Sequence, residues 1–244
     1  MRLAVLSDIH GNYEALEACL EQIAAAGVDG YAFLGDLVGY GPDPGRVVDI
    51  ISELNARGAI VLKGNHDEAI ERGADRMTGI AAEAILWTRI QLNERQKAYL
   101  AQLPLTEARD NVMFVHASAA RPETWPYVDS TASAVACLAA SGTRLTLCGH
   151  THLPRLFHQL PGRSVEDFVP VANRKVPFSS ARRYLGVLGA VGQPRDRDPR
   201  ACWVLLEPDG LTYFRVGYDF DATMRKIKAA GLPEWLGTRL ATGR

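Results

Sequence analysis

The stretch Leu3-Ala4-Val5-Leu6-Ser7-Asp8-Ile9-His10-Gly11-Asn12 decides how this chain is read. It opens with a short apolar run of the length of a buried strand. Directly behind that run stand a carboxylate, an imidazole, a glycine and an amide. Asn12 suits a helix N-cap, and Ala15, Leu16, Cys19, Leu20 and Ile23 follow at helical spacing, so a helix is expected to about Ala26, stopped by Gly27. The same unit then recurs. Residues 31–34 read as a strand before Gly35-Asp36, Asp43-Pro44 opens a helix through Leu54, and residues 59–62 read as a strand before Gly64-Asn65-His66-Asp67. A β-α-β-α-β order implies parallel strands joined by crossover helices. Ligands of such sheets gather beyond the carboxyl ends of the strands, where Asp8, Asp36 and Asn65 stand.

Further along, residues 66–103 read as helical, with Asn93 and Gln96 spaced as a capping box. Residues 112–115 read as a strand ending at His116, Ser130 opens a helix to about Ala140, and 145–148 is a strand ending at Gly149-His150. A strand is expected over 155–159. Residues 161–183, with Pro161, Pro170 and Pro177, read as a long irregular excursion. Strands are expected over 184–188, 202–206 and 211–216, the last two turned by Pro208-Asp209-Gly210, and the second half is accordingly richer in antiparallel strands. A helix over 221–230 and a short terminal one over 233–240 complete the chain. No repeat or linker divides it, so residues 1–244 are expected to form a single domain.

The composition is that of a globular protein, 47% hydrophobic and 23% charged. A formal net charge of −1 gives no electrostatic footprint for bulk nucleic-acid or membrane binding. The apolar run before Asp8 is too short for a signal-peptide core, and no run approaches the roughly 20 residues of a membrane span, so a cytoplasmic protein is expected. Cys19, Cys137, Cys148 and Cys202 include no C-x-x-C pair and read as buried reduced thiols. Cys137 and Arg144 stand one residue too far apart for a cysteine-phosphatase loop.

Five of the six histidines fall in short clusters: Asp8-Ile9-His10, Asn65-His66-Asp67, Val115-His116-Ala117 and Gly149-His150-Thr151-His152. Imidazole, carboxylate and amide oxygen are together the ligand set of a divalent metal site. In an extended segment residues i and i+2 point the same way, which would let Asp8 and His10 share one ion, and His150 and His152 likewise. A lone D-x-H or H-x-H says little; the ordered set says much.

That set, Asp8-Ile9-His10-Gly11-Asn12, Gly35-Asp36-Leu37-Val38, Gly64-Asn65-His66-Asp67, His116 and Gly149-His150-Thr151-His152, resembles the calcineurin-like metallophosphoesterases over roughly the whole chain. Gly39-Tyr40-Gly41-Pro42-Asp43-Pro44 and Gly192-Gln193-Pro194-Arg195-Asp196 are further similar to the small bacterial and archaeal phosphodiesterase branch. The resemblance implies an α/β fold, a four-layer α/β/β/α sandwich of two mixed sheets flanked by helices. It implies two divalent metal ions, with Mn, Fe, Zn and Ni all compatible with the donors. Asp8, His10 and His152 would bind one ion, Asn65, His116 and His150 the other, and Asp36 would bridge them with an oxygen for each. A hydroxide held between the ions would attack phosphorus. His66 would assist the leaving oxygen and Asp67 would orient His66. Backbone N–H groups at Gly11-Asn12 would meet a phosphate oxygen. The expected substrate is a small phosphodiester, nucleotide-derived ones included; a phosphomonoester, a phosphoprotein or a dinucleoside polyphosphate differs in pocket rather than in chemistry. A non-catalytic scaffold is disfavoured because no ligand position is lost.

One departure concerns Val187-Leu188-Gly189-Ala190, where the branch has an Asn and a Ser; it removes a polar contact but no metal ligand. Arg121, Arg195, Arg197 and Arg200 are candidates for a distal phosphate, weighed against a solvated loop. Trp125, Tyr127 and Tyr40 read as loop packing rather than base-stacking surfaces, and His158 as an ordinary strand or surface residue. The oligomeric state is left open.

Overall fold

The computed structural model describes residues 1–244 apart from positions 76 and 78; the helix expected there lies outside the described residues. Among the described residues are two six-stranded mixed sheets and eight α-helices. The first sheet takes β1 (Leu3–Leu6), β2 (Gly30–Phe33) and β3 (Ile60–Val61) from the N-terminal third, joined by α1 (Tyr13–Ala26) and α2 (Pro44–Ala56). These three strands are parallel, as the alternating order requires.

Helices α3 (Asn65–Arg72), α4 (Gly79–Gln91) and α5 (Glu94–Gln102) follow. The helical stretch expected over 66–103 comprises three helices: it breaks after Gly73, and α5 starts at the expected capping box, in which Asn93 accepts from Gln96 N–H at 2.9 Å.

The second sheet is built from β4 (Thr106–Arg109), β5 (Val112–Val115), β6 (Leu145–Cys148), β7 (Arg155–Gln159), β8 (Val165–Phe168) and β10 (Arg183–Val187), in the order β4-β5-β6-β10-β7-β8. Its central strands β5, β6 and β10 are parallel. Helix α6 (Thr131–Ser141) connects β5 to β6. The excursion expected over 161–183 contains β8 and the two-residue β9 (Val176–Pro177). Both are edge strands, where a proline and weak alternation are tolerated. The chain then returns to the first sheet. There β11 (Ala201–Glu207) pairs antiparallel with β1, Leu3 opposite Leu206, and β12 (Gly210–Val216) pairs with β11. Two C-terminal helices, α7 (Phe220–Ala229) and α8 (Glu234–Thr238), close the order.

Period-two alternation explains the layering. Leu3 and Val5 face the core between the sheets with Leu145, Leu147 and Tyr213, while Ala4 and Leu6 face α1 through Leu16 and Ile23. In β11, Val204 and Leu206 point inward and Trp203 and Leu205 outward. On the far side Cys148, Leu185 and Val187 pack on Ala134, Cys137 and Leu138 of α6. The result is the four-layer α/β/β/α sandwich, and it carries the carboxyl ends of β1, β2 and β3 and of β5 and β6 to one place. All four cysteines are buried and free. No helix of the described residues is long and apolar enough to cross a membrane.

Candidate metal centre

Behind β1 the backbone does not continue extended. Asp8 and His10 take φ of 57° and 51°, Asp36 takes 52°, and His150 and His152 take 68° and 62°. Each is a non-glycine residue in the left-handed region, which costs roughly 1–2 kcal/mol apiece and persists only where surrounding structure enforces it. The enforcing bonds are visible: Asp8 N–H donates to Gly35 O at 3.1 Å, His10 N–H to Asp36 O at 2.9 Å, and His150 N–H to Asp8 Oδ2 at 3.0 Å. The strand-pleat reading of the i, i+2 pairs is thereby corrected. Asp8 and His10 do converge, through the turn geometry. His150 and His152 diverge into two different groups.

Those groups are Asp8, His10, Asp36 and His152, and Asp36, His116 and His150; within each, one potential ligand atom per residue lies within 4.8 Å of the others. Asp36 belongs to both. Its Oδ2 lies 3.7 Å from His10 Nε2 and 3.4 Å from His116 Nε2. Its Oδ1 accepts the His66 N–H at 2.8 Å. The expectation of one carboxylate oxygen for each ion is thus corrected: a single oxygen faces both groups. Asn65 Oδ1 completes the second group, 3.2 Å from His116 Nε2, which is also 3.2 Å from His150 Nδ1.

The donor chemistry shows what these groups fit. Nδ1 of His10, His116 and His152 faces the carbonyl oxygens of Val38, Leu34 and Gln193 at 3.1, 2.9 and 2.7 Å. A carbonyl has no proton to give, so each Nδ1 carries a hydrogen and each ring turns its Nε2 inward, the atom that offers a lone pair when the ring is neutral. His10 Nε2 and His152 Nε2 stand 3.1 Å apart, two lone pairs facing each other. Asp8 Oδ1, 3.3 Å from His152 Nε2, is buried without a hydrogen-bond partner. Electron-pair donors gathered this way fit a cation among them.

The motif glycines follow from crowding here. A Cβ on Gly64 would stand 2.1 Å from Asp36 Oδ1, and one on Gly149 would stand 2.0 Å from Ser7 Oγ.

Residues 1–154 match the family described as calcineurin-like phosphoesterase. The chain belongs to that family. The uncharacterized protein MJ0912 of Methanocaldococcus jannaschii is 34% identical over 99% of this chain and 98% of its own length. Phosphodiesterase YfcE of Escherichia coli is 27% identical over 66% of this chain and 78% of its own. The crystal structure of a metallophosphoesterase from Sphaerobacter thermophilus superposes over 100% of both chains with a TM-score of 0.87 and 37% identity. The enzyme is accordingly a phosphoester hydrolase.

Electrostatics in this phosphoesterase are set by burial and by the close pairing of opposite charges. Burial works to raise the pKa of Asp8 and Asp36, but His152 beside Asp8 and His116 beside Asp36 outweigh it and hold both carboxyls low. Burial likewise lowers His10 and His152, and takes His150 down to about 3. His116 moves the other way: burial would lower it, but Asp36 wins and lifts it to about 9. A proton there occupies the space between His116 and Asp36 that a cation would take.

His66 lines the cleft with Asp36, Asn65 and His152, a hollow of about 160 Å³. Its Nδ1 has no hydrogen-bond partner, and burial, ahead of its charged neighbours, drops its pKa to about 4. Asp67 does not orient it, which corrects the expected role. The Asp67 carboxylate accepts from Leu37 N–H at 2.9 Å, Val38 N–H at 3.3 Å and Gly64 N–H at 2.8 Å, and so ties the Asp36 loop to the start of α3. Burial, with Asp36, pushes its pKa up to about 7 against the pull of those N–H groups. His66 is placed instead by the Asp36 bond to its N–H, by the Tyr40 and His10 rings at 4.5 and 4.8 Å, and by Gly39, whose hypothetical Cβ would stand 2.4 Å from Nδ1. The phosphate-binding reading of Gly11-Asn12 is also corrected, since these N–H groups are spent on Leu37 O at 2.9 Å and Ile9 O at 3.1 Å.

Around the rim, Tyr127 stacks on His150 at 4.3 Å and Trp125 meets His116 edge-on at 5.7 Å, so both pack on metal-group histidines. Arg195 reaches the cleft. Arg200 is paired with Asp198 at 2.6 Å, and Arg121 and Arg197 do not line the cleft among the described residues. Gln193 was missed as a positioning residue, although the Gly192-Gln193-Pro194 segment marked its place. Arg239 carried no sequence signal, because only the fold brings the C-terminal helices beside the cleft.

Proposed function

We propose that residues 1–244 act as one metallophosphoesterase domain that hydrolyses a small phosphodiester with two divalent ions bound, Mn²⁺ among the compatible ones. One observation carries the reading: a single carboxylate oxygen, Asp36 Oδ2, faces two donor groups at the floor of the cleft that His66 lines. In this reading Asp8, His10 and His152 hold one ion, Asn65, His116 and His150 the other, and Asp36 both. Ions so held would supply an activated water and positive charge for the phosphate oxygens. The carbonyls of Val38, Leu34 and Gln193 fix the rings in the tautomer that offers Nε2. His66, held neutral near pH 7 by burial, contributes an N–H to the charge developing on the leaving oxygen. Asp67 serves as a positioning residue, holding the loop that presents Asp36. The similarity to phosphodiesterase YfcE supports the diester preference.

Metal-stripped protein is expected to hydrolyse neither bis(p-nitrophenyl) phosphate nor p-nitrophenyl phosphate. Mn²⁺, Ni²⁺, Zn²⁺ or Fe²⁺ added back should restore the diesterase. The bound ions should also raise the melting temperature, since a ligand at a hundred times its Kd stabilises by about 2.7 kcal/mol. Faster turnover of the monoester would move the reading to a phosphatase, and stoichiometric metal binding without turnover would make the protein a scaffold.

A second expectation concerns Gly39→Ala, which touches no proposed ligand. The new methyl collides with His66 Nδ1, and misplacement on that scale costs about 10- to 100-fold in kcat. Metal stoichiometry should stay at the wild-type level. A variant with wild-type kcat would show that the position of His66 does not matter.

A further inference from the structure

The backbone carbonyl of Gln193 holds His152, but its side-chain Oε1 serves another purpose. It accepts from Arg195 Nη2 at 2.9 Å and from Arg239 Nη1 at 2.7 Å. Two guanidiniums are thus drawn onto one neutral oxygen. Among the described residues neither is paired with an Asp or Glu side chain, whereas Arg155, Arg200 and Arg215 each have one. Arg195 Nε is buried with no hydrogen-bond partner at all. Arg239 gives its Nε to the main-chain oxygen of Arg244 and lies 4.1 Å over the Trp235 ring. Burial, and Arg195 beside it, pull the Arg239 pKa down to about 10. Two like charges held together, with a buried donor left over, are costly unless an anion completes them.

Their location says which anion. Arg195 lines the metal cleft beside Asp36 and His66. An adjoining hollow of about 480 Å³ is lined by Tyr40, Arg195, Trp235 and Arg239, with no acidic residue on its walls among the described residues. The hollow on the other side of the cleft carries Glu68 and Asp75. Tyr40 divides cleft from hollow, touching His66 on one side with Arg195 6.0 Å over its ring. The two guanidiniums together match the charge of a phosphate dianion, about −1.5 to −2, and their forks match its oxygens.

We propose that Arg195 and Arg239 form a second phosphate subsite, which receives a phosphate the substrate carries beyond the scissile diester. The inference rests on the phosphodiesterase reading and narrows its substrate class to esters bearing two phosphates. Gln193 couples the two parts of the substrate, because one residue fixes both a metal-group histidine and the arginine pair.

The test uses the Mn²⁺-loaded full chain and two diesters that differ by one phosphate, thymidine 5′-(p-nitrophenyl phosphate) and its 3′-phosphorylated form. The wild type is expected to favour the second in kcat/KM by about ten- to a hundredfold, the range of one or two charge-assisted hydrogen bonds. Arg195→Gln and Arg239→Gln should bring that ratio below about threefold, with Arg239→Lys between, since lysine keeps the charge and loses the fork. A wild-type ratio near one, or a ratio that survives both glutamine variants, overturns the subsite. Calorimetric titration of the same proteins with thymidine 3′,5′-bisphosphate and thymidine 5′-phosphate reads the subsite without turnover. If neither diester is hydrolysed, yet the bisphosphate binds about tenfold tighter to the wild type and not to Arg239→Gln, the phosphodiesterase reading falls and the subsite stands. Equal binding of the two ligands overturns the subsite whatever the activity.

Discussion

Asp36→Ala is expected to abolish turnover, by on the order of 10³-fold or more, because it removes the one side chain common to both donor groups. Metal content should fall in the same variant, from two equivalents to one or fewer. Asp36→Asn is the sharper experiment. An amide can keep the oxygen that accepts the His66 N–H, so α3 stays in place. It then turns an NH₂ toward His10 and His116, where Oδ2 now stands 3.7 and 3.4 Å from their Nε2 atoms. A donor would sit where both ions need an acceptor. Elemental analysis and bis(p-nitrophenyl) phosphate turnover on the two variants decide the matter. Two retained equivalents with activity within about tenfold of wild type would remove Asp36 from the centre of the reading.

His66→Ala is expected to lower kcat by about 10²- to 10⁴-fold, with both metal equivalents retained. The size of the loss should depend on the leaving group. A nitrophenolate leaves with little help, whereas an alkoxide needs its charge met by a hydrogen bond. The variant should therefore lose much more on an alkyl ester than on a p-nitrophenyl ester. Loss by the same factor on both would show that His66 acts on the ions or the fold and not on the departing oxygen. The local fold should withstand the change, since the backbone N–H of residue 66, not the imidazole, carries the bond to Asp36, and that bond survives in alanine.

Much of this was legible in the residues. The β1-α1-β2-α2-β3 alternation is written in apolar runs and caps that local chemistry enforces, and the Asn93 and Gln96 pair marked α5 correctly. Strands β8 and β9 were not legible, because edge strands need neither continuous burial nor clean alternation. The break between α3 and α4 follows Gly73, a single glycine that a helical pattern can tolerate, so it was not read as a helix end. At the centre, residue types were readable and directions were not. The left-handed φ of Asp8, His10, His150 and His152 is fixed by hydrogen bonds to loops far away in sequence, and no local pattern announces it. Asp67 shows the same limit. Its neighbour in sequence is His66, but its partners are the N–H groups of Leu37, Val38 and Gly64.

The pairing of Leu3 with Leu206 has a consequence for how the protein is made. During synthesis β1, β2 and β3 emerge first, and β1 stands with one whole side unpaired. Its partner β11 is about two hundred residues away, and all of the second sheet is translated in between. At ribosomal speeds of about 5–20 residues per second, that open side waits roughly 10 to 40 s. The nascent chain therefore passes through a long interval in which Leu3, Val5 and their neighbours are available to other chains, and fast overexpression should favour aggregation of this protein more than slow, cool expression does.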